Sequence, residues 1–242
     1  MKVSAIIPAR YCSKRLPGKP LIKIHGKSMI RWVHEALSTC SNLDSVIIAT
    51  DDKRIFDECT RFGAQVVMTR ADHKSGTDRI AEVAKTLDSD LILNVQGDEP
   101  LINSHMIETL INLMKLKVNM QMGSLARLLT AQELESSNLV KVWVHDWKAI
   151  DFFRRLEISE KNKQLLNSSL FAHIGIYCYR RDFLLKYSAL KESMREQETN
   201  LEQLRAIENG YDIIIGLVDY NGIGVDTLED VEKVELILEK MK

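Results

Sequence analysis

Three groups of residues in this sequence have the types and spacing to do chemistry on a polyphosphate. The first is Arg10-Tyr11-Cys12-Ser13-Lys14-Arg15-Leu16-Pro17-Gly18-Lys19, which places four cations within ten residues and adds Pro17 and Gly18 as turn formers. Guanidinium groups chelate phosphate oxygens and backbone amides assist, although a solvated surface loop has the same composition. The second is Gln96-Gly97-Asp98-Glu99-Pro100, and the third is Gly222-Ile223-Gly224-Val225-Asp226-Thr227. Each follows an apolar run and carries a carboxylate. Such a group is costly at the end of a buried strand unless it is paired or holds a metal. Magnesium takes one or two carboxylates together with substrate phosphates. Asp98 and Asp226 are therefore metal candidates, each with a plainer alternative as a turn or N-cap residue of the following helix. A fourth loop, Thr69-Arg70-Ala71-Asp72-His73-Lys74-Ser75-Gly76-Thr77-Asp78-Arg79, ends at an expected helix start. Unpaired N–H groups there can hold an anion or a base carbonyl, and Ser75 and Thr77 can equally serve as caps.

For these loops to act together, one sheet has to carry them on one edge. Apolar runs at 3–7, 45–49, 65–68 and 91–95 alternate with segments of helical period at 28–39, 52–62, 76–87 and 103–117. Strands buried on both faces read as continuous apolar runs, and helices crossing between them make the sheet parallel. The first half is thus a doubly wound α/β unit, in which ligands bind beyond the carboxyl ends of the strands. After residue 120 the pattern changes to longer strands at 120–128, 140–145 and 171–179, where Val140, Val142 and Val144 alternate with Lys141, Trp143 and His145. A polar stretch, 157–169, interrupts them as a loop. Helices follow at 181–188 and 197–209, the second closed by Asn209-Gly210, then a strand at 213–218 and a final helix. The expectation is one domain over 1–242, with an antiparallel insertion at about 120–180.

Composition removes several other classes. The 242 residues are 45% hydrophobic and 28% charged, and 33 Lys and Arg against 34 Asp and Glu leave a net charge of −1. A nucleic-acid binder would show a basic excess. The four cysteines form no CxxC and the six histidines no HExxH, so a zinc site is not indicated. The first apolar run is too short for a signal peptide or a membrane span, which points to a cytoplasmic protein without membrane insertion. Gly26-Lys27-Ser28 lacks the first glycine of a phosphate-binding loop, because Leu21 stands there. No GxGxxG follows the first strand. Asp88-Ser89-Asp90 precedes its strand and so lies at the wrong edge for a metal acting with the other loops.

The motifs Ile6-Ile7-Pro8-Ala9-Arg10, Arg15-Leu16-Pro17-Gly18-Lys19-Pro20-Leu21, Ala49-Thr50-Asp51, His73-Lys74-Ser75-Gly76-Thr77-Asp78-Arg79, Asn94-Val95-Gln96-Gly97-Asp98-Glu99-Pro100, His173-Ile174-Gly175-Ile176-Tyr177, Leu201-Glu202-Gln203-Leu204-Arg205 and Gly224-Val225-Asp226-Thr227 occur in order over nearly the whole chain. Together they resemble the 3-deoxy-manno-octulosonate cytidylyltransferase (CMP-Kdo synthetase) family. The resemblance implies a nucleotide-diphospho-sugar transferase-like fold, and a reaction of CTP with a sugar acid in a magnesium-dependent, cytoplasmic homodimer serving lipopolysaccharide biosynthesis. It implies that Arg10, Arg15, Lys19 and Asp98 are catalytic, and that Ala9, Asp51, Arg70, Ser75 and Gly76 join Arg10, Lys19 and Asp98 around CTP. It implies Asp98 and Asp226 as magnesium ligands, with Gln96, Arg154, His173, Tyr177, Glu202 and Gln203 facing the sugar acid.

The resemblance weakens on the sugar side. Where the family carries Phe-Ser-Arg and then Ile-Pro, this chain reads Asp151-Phe152-Phe153-Arg154-Arg155-Leu156-Glu157-Ile158-Ser159, and the proline segment is gone. Pro-Leu-Glu becomes Met194-Arg195-Glu196, and Thr199 replaces a glutamate. Two acceptors fit these changes: Kdo itself, or the 8-amino form of Kdo, whose ammonium Asp151, Glu157 or Glu160 could meet. A third reading is a non-catalytic nucleotide-sugar sensor, which would not need both Asp98 and Asp226.

Overall fold

The computed structural model of the protein describes residues 1–12, 15–155 and 169–240. The chain groups into two compact units, Met1–Glu108 with Asn221–Lys242, and Thr109–Tyr220.

The first unit is built on β1 (Val3–Ala9), buried along its whole length apart from the half-buried Pro8. A short hairpin follows, β2 (Lys23–Ile24) and β3 (Lys27–Ser28), then α1 (Met29–Ser38), β4 (Ser45–Thr50), α2 (Lys53–Arg61), β5 (Gln65–Met68), α3 (Gly76–Ala84) and β6 (Leu91–Asn94). The longer strands are all parallel, in the order β5-β4-β1-β6. With β1 between two neighbours and covered on both faces, no position in it faces water, hence its apolar run, which only Ser4 interrupts, buried and hydrogen-bonded to Ser45 and Ser89. In α1 the buried residues Met29, Ile30, Val33 and Leu37 form one stripe, the amphipathic spacing of a helix laid on a sheet. The last helix of the chain, Leu228–Lys240, adds Val231 and Val234 to a cluster with Leu16, Ile24, Met29 and Val225. Leu16 belongs to the basic loop and Val225 to the glycine-rich turn. Burying each is worth about 1.5–3 kcal/mol, so apolar packing holds these two polar segments side by side.

α4 (Ser104–Leu116) starts after Asn103, whose Oδ1 accepts the Met106 amide at 3.1 Å. The second unit then carries β7 (Met122–Arg127), β8 (Lys141–His145), β9 (Lys148–Phe153), β10 (Ser169–Arg180), α5 (Arg181–Tyr187), α6 (Met194–Thr199), α7 (Leu204–Glu208) and β11 (Ile213–Leu217). The order is β10-β7-β11-β9-β8, and β8 also pairs with β10, so the pairings return to their starting strand. β10 is antiparallel to β7 and β8, while β11 runs parallel to β7.

Several sequence expectations need correction. β9 had no sequence signal, because its turn is Asp146-Trp147 with φ of 48° and 64°. Two-residue hairpins need that left-handed backbone and usually declare it with Asn-Gly. The single helix expected over 197–209 is two helices. A capping box between Ser193 and Glu196 starts α6 early, and Asn200 at φ 54° stops it. Lys141 shares the core with its valine neighbours instead of pointing away, being fully buried. Residues 156–168, which hold nearly all of the expected 157–169 loop, lie outside the described residues, as do Ser13 and Lys14.

α6 and α7 are tied by a buried ion pair. The Arg205 Nε donates to both carboxylate oxygens of Glu196, at 3.1 and 3.0 Å. The Glu196→Ala variant leaves the Arg205 guanidinium buried without this carboxylate. Urea unfolding is expected to show a loss of about 3 kcal/mol. A loss below about 1 kcal/mol, the size of a surface pair, would show that the pair does not hold α6 to α7.

Candidate active site

The donor-side geometry starts at Gly18, whose φ of +69° lets its N–H turn back to the Tyr11 carbonyl at 2.9 Å and close the basic loop. The chain then makes a short 3-10 turn over Lys19–Leu21. This turns the Lys19 ammonium inward, where it donates to Asp98 Oδ2 (2.6 Å), the Val225 carbonyl (2.7 Å) and Asp226 Oδ1 (3.0 Å). Three donors thus meet three acceptors. Burial works against the charge on Lys19, but the Asp98 and Asp226 carboxylates outweigh it and its pKa is raised. Arg15 Nη1 meets the other oxygen of Asp226 at 2.8 Å. The N-cap alternative for the two acids does not hold, although Asp98 does lie in a turn. Asn103 caps α4, and Thr227 Oγ1 accepts the Asp230 amide at the start of the last helix. Both Asp98 and Asp226 are left to face the cations. Gly224, in the turn before Asp226, lies close to the Glu99 carboxylate, 3.0 Å from where a Cβ would stand.

Around this network the remaining donor-side residues lie at the carboxyl ends of the parallel strands. Ala9 closes β1, and Arg10 follows it, exposed. Asp51 follows β4 and pairs with the buried Arg79 at 3.1 Å. Arg70 follows β5 and forks onto Asp72 in solvent. Ser75 caps α3 by accepting the Asp78 amide, with Gly76 as the first helical residue. Gln96 donates to Asn94 Oδ1 at 2.9 Å. The structure thus joins Arg15, Lys19, Asp98 and Asp226 by direct contact and arrays the others along the same strand ends. Among the described residues no group of three or more His, Cys, Asp or Glu could hold a metal ion. The two acids already converge on a single cation, and an oxygen-only pair completed by phosphate and water is what magnesium accepts. The residues therefore fit that ion.

The second unit gathers the acceptor-side residues around an irregularity in β10. Ile174 pairs with Leu125 and Tyr177 with the adjacent Ser124, so the strand bulges over Gly175 and Ile176. Residues four apart on a regular strand lie about 13 Å apart, yet the rings of His173 and Tyr177 are 5.5 Å apart. The bulge brings them together, as bulges beside functional sites do. His173 is buried, stacks edge-on against Phe152 at 4.8 Å, and contacts Ser124 Oγ at 2.9 Å. Burial pushes its pKa down to about 3, and burial also holds the Tyr177 hydroxyl well above its ordinary range. Tyr177 Oη donates to Gln203 Oε1 at 3.1 Å, and Tyr187 Oη donates to the Glu202 carbonyl at 2.5 Å. Arg154 stands apart from this group at the end of β9, with its Nη1 on the Asn138 carbonyl at 2.8 Å. Its own carbonyl accepts from the buried Lys141 Nζ at 2.7 Å.

Sequence reasoning missed two polar residues here. Ser124 is fully buried inside the apolar strand β7, and Lys141 is fully buried in β8. A serine or lysine inside a strand run is the signal each gave, but without partners in view it reads as tolerance.

A family model described as cytidylyltransferase matches residues 4–213. A 3-deoxy-manno-octulosonate cytidylyltransferase of Syntrophotalea carbinolica is 46% identical, over 97% of this chain and 98% of its own. One from Fusobacterium nucleatum is also 46% identical, over 97% and 96%. The chain belongs to the 3-deoxy-manno-octulosonate cytidylyltransferase family. It is an enzyme, a nucleotidyltransferase. A solved CMP:2-keto-3-deoxy-manno-octonic acid synthetase complexed with CTP superposes with a TM-score of 0.93 at 40% identity, with all of both chains covered. A Leptospira borgpetersenii cytidylyltransferase, at 18% identity and TM-score 0.68 over 99% of this chain and 87% of its own, shares the fold. No helix among the described residues is long and apolar enough to cross a membrane.

The buried, neutral His173 predicts a pH dependence. Its folded pKa is about 3 against an ordinary 6.5, so below pH 6.5 the unfolded chain takes up a proton that the folded ring refuses. Stability therefore falls as pH falls through that window, by up to about 1.4 kcal/mol per pH unit from this group. Chemical denaturation of the enzyme and of His173→Gln at pH 6.5, 5.5 and 4.5 is expected to show a shallower slope in the variant. Equal slopes would mean that His173 titrates normally.

Proposed function

We propose that the enzyme transfers the cytidylyl group of CTP to 3-deoxy-manno-octulosonate, releasing pyrophosphate, as a magnesium-dependent cytoplasmic homodimer serving lipopolysaccharide biosynthesis. The observation that carries the donor half is the convergence of Asp98 and Asp226 on the Lys19 ammonium, at 2.6 and 3.0 Å. Two acids, one shortly after β6 and the other just before the last helix, already pulled onto one cation, are the arrangement a triphosphate–metal complex requires.

Arg10, Arg15 and Lys19 would hold the triphosphate and take up charge as pyrophosphate leaves. Lys19 has a further part. With its three hydrogens committed to Asp98, Val225 and Asp226, it keeps the two carboxylates together until CTP arrives, then turns its ammonium to the phosphates. Asp98 and Asp226 would hold magnesium, which supplies charge neutralisation at the phosphates and a lower pKa for an attacking hydroxyl. The anomeric hydroxyl of the sugar acid attacks the α-phosphorus in line. The new O–P bond forms as the bond to pyrophosphate breaks, so no covalent enzyme intermediate is needed. Ala9, Asp51, Arg70, Ser75 and Gly76 would frame the nucleotide. Gln96, His173, Tyr177, Glu202 and Gln203 would orient the acceptor, with Arg154 for its carboxylate.

Between the two acceptors, the state of Asp151 favours Kdo. Its Oδ1 is already held by Arg195 Nη2 at 2.7 Å and by the Phe152 amide at 2.8 Å, which leaves it poorly disposed to receive the ammonium of an 8-amino acid.

The test is pyrophosphate release from CTP with magnesium and a panel of Kdo, 8-amino-Kdo and sialic acid. Release is expected with Kdo, with the highest kcat/KM of the three. Preference for 8-amino-Kdo would reverse the reading of Asp151, and no release with any acid would refute the reaction.

A further inference from the structure

One tightly constrained polar atom in the second unit is the hydroxyl of Ser124. It is fully buried, and three atoms lie within hydrogen-bond reach: the Ile176 carbonyl at 2.8 Å, His173 Nε2 at 2.9 Å and the Ile174 carbonyl at 3.2 Å. Both carbonyls belong to the bulge of β10, which is why one side chain of β7 can meet both.

A serine hydroxyl has one hydrogen and two lone pairs, and a carbonyl oxygen can only accept. If the hydrogen pointed at His173, Ser124 Oγ would face the Ile176 and Ile174 oxygens with lone pair against lone pair at 2.8 and 3.2 Å. No hydrogen would then lie between them, in a place no water reaches. An unmade bond of that kind costs about 1–3 kcal/mol per buried group. The hydrogen therefore goes to a carbonyl, the shorter contact being Ile176. The contact with His173 remains, and there the serine can only accept. The imidazole must then carry its hydrogen on Nε2. Burial keeps the ring neutral, with its pKa pushed down to about 3, so Nδ1 bears a lone pair. Among the described residues Nδ1 has no hydrogen-bond partner, while the ring itself is clasped by Phe152 and Tyr177.

We propose that Ser124 is a positioning residue that fixes His173 as its Nε2-protonated tautomer, so that Nδ1 accepts a hydrogen bond from a hydroxyl of the sugar acid. The second half rests on the reading of His173 as an acceptor-side residue; the first half does not. The arrangement selects for a ligand group by chemistry. A hydroxyl or ammonium can donate to Nδ1, whereas a carboxylate or a keto oxygen is repelled there, so the acid's charged end has to lie elsewhere. A histidine free to change tautomer would have no such preference, and a protonated one would reverse it.

The measurement is ¹⁵N NMR of histidine-labelled enzyme at neutral pH, with the His173 signals identified by their absence in His173→Gln. A bonded-type shift at Nε2 and a bare, pyridine-type shift at Nδ1 are expected, the latter moving when the acid binds beside a CTP analogue. Ser124→Ala should raise the KM for the acid by about tenfold, the size of one buried hydrogen bond, with the KM for CTP unchanged. Ser124→Thr, which keeps the hydroxyl, should restore it. An Nδ1-protonated ring in the unmodified enzyme overturns the proposal whatever the kinetics, and needs no variant to fold. An Nε2-protonated ring together with an unchanged acid KM in His173→Gln removes instead the acceptor-side reading of His173, and the second half of the proposal with it.

Discussion

Two carboxylates set at the ends of different segments repel each other unless a cation lies between them, and in this enzyme the cation is the Lys19 ammonium. Much of the first unit can be understood as what this one contact requires. Gly18 must adopt a left-handed backbone so that the chain can turn Lys19 inward. Leu16 and Val225 must share a core cluster so that the loop and the turn lie together. Asn103 and Thr227 must do the capping so that Asp98 and Asp226 need not. The charge itself is secured by geometry: the ammonium is largely buried, with only 12% of the side chain exposed, and all three of its hydrogens are used. A lysine in that position is stable only while both acids remain ionised and in reach. In the proposed reaction it would be a stand-in for the metal ion that the two acids would hold.

The second unit works by a different physical device. Among the described residues the side chains that meet the His173 ring are those of Ser124, Phe152 and Tyr177, none of them charged. A strand irregularity brings His173 and Tyr177 together, with Gln203 bonded to the tyrosine, and burial keeps the histidine and this tyrosine neutral. Neutral donors and acceptors in a dry pocket discriminate hydroxyl patterns, because each unmatched group costs its full desolvation. This suits the recognition of a sugar, as the charged loops of the first unit suit a triphosphate. The buried Glu196–Arg205 pair ties α6 to α7 and so fixes the turn between them on which Glu202 and Gln203 stand.

How much of this was legible in the sequence follows from the range of each interaction. The parallel strands could be read because burial on both faces leaves a local trace, and Asp98 and Asp226 because a carboxylate after an apolar run is unusual by itself. Their meeting on Lys19 was not written in any one segment, since it depends on residues about 80 and 200 positions apart, separations seen only once the chain is folded. The strand β9 was hidden because Asp146-Trp147 takes up a glycine-like backbone without glycine. Ser124 was hidden because its importance lies in the bulge opposite, and a two-residue slip in strand pairing has no signature in the strand that receives it. The alternation around Lys141 misled for a related reason. β8 pairs on both sides, with β9 and β10, so a position that would face water in a two-layer sheet is enclosed here.

The central claim is that Asp98 and Asp226 together hold the divalent cation that Lys19 otherwise replaces. Electron paramagnetic resonance of manganese, used in place of magnesium, measures this without any turnover. In the presence of CTP the unmodified enzyme should immobilise manganese, and the Asp98→Asn, Asp226→Asn double variant, folded and at equal concentration, should leave it free. Equal binding by the two proteins would contradict the account, because the cation would then be held without either carboxylate.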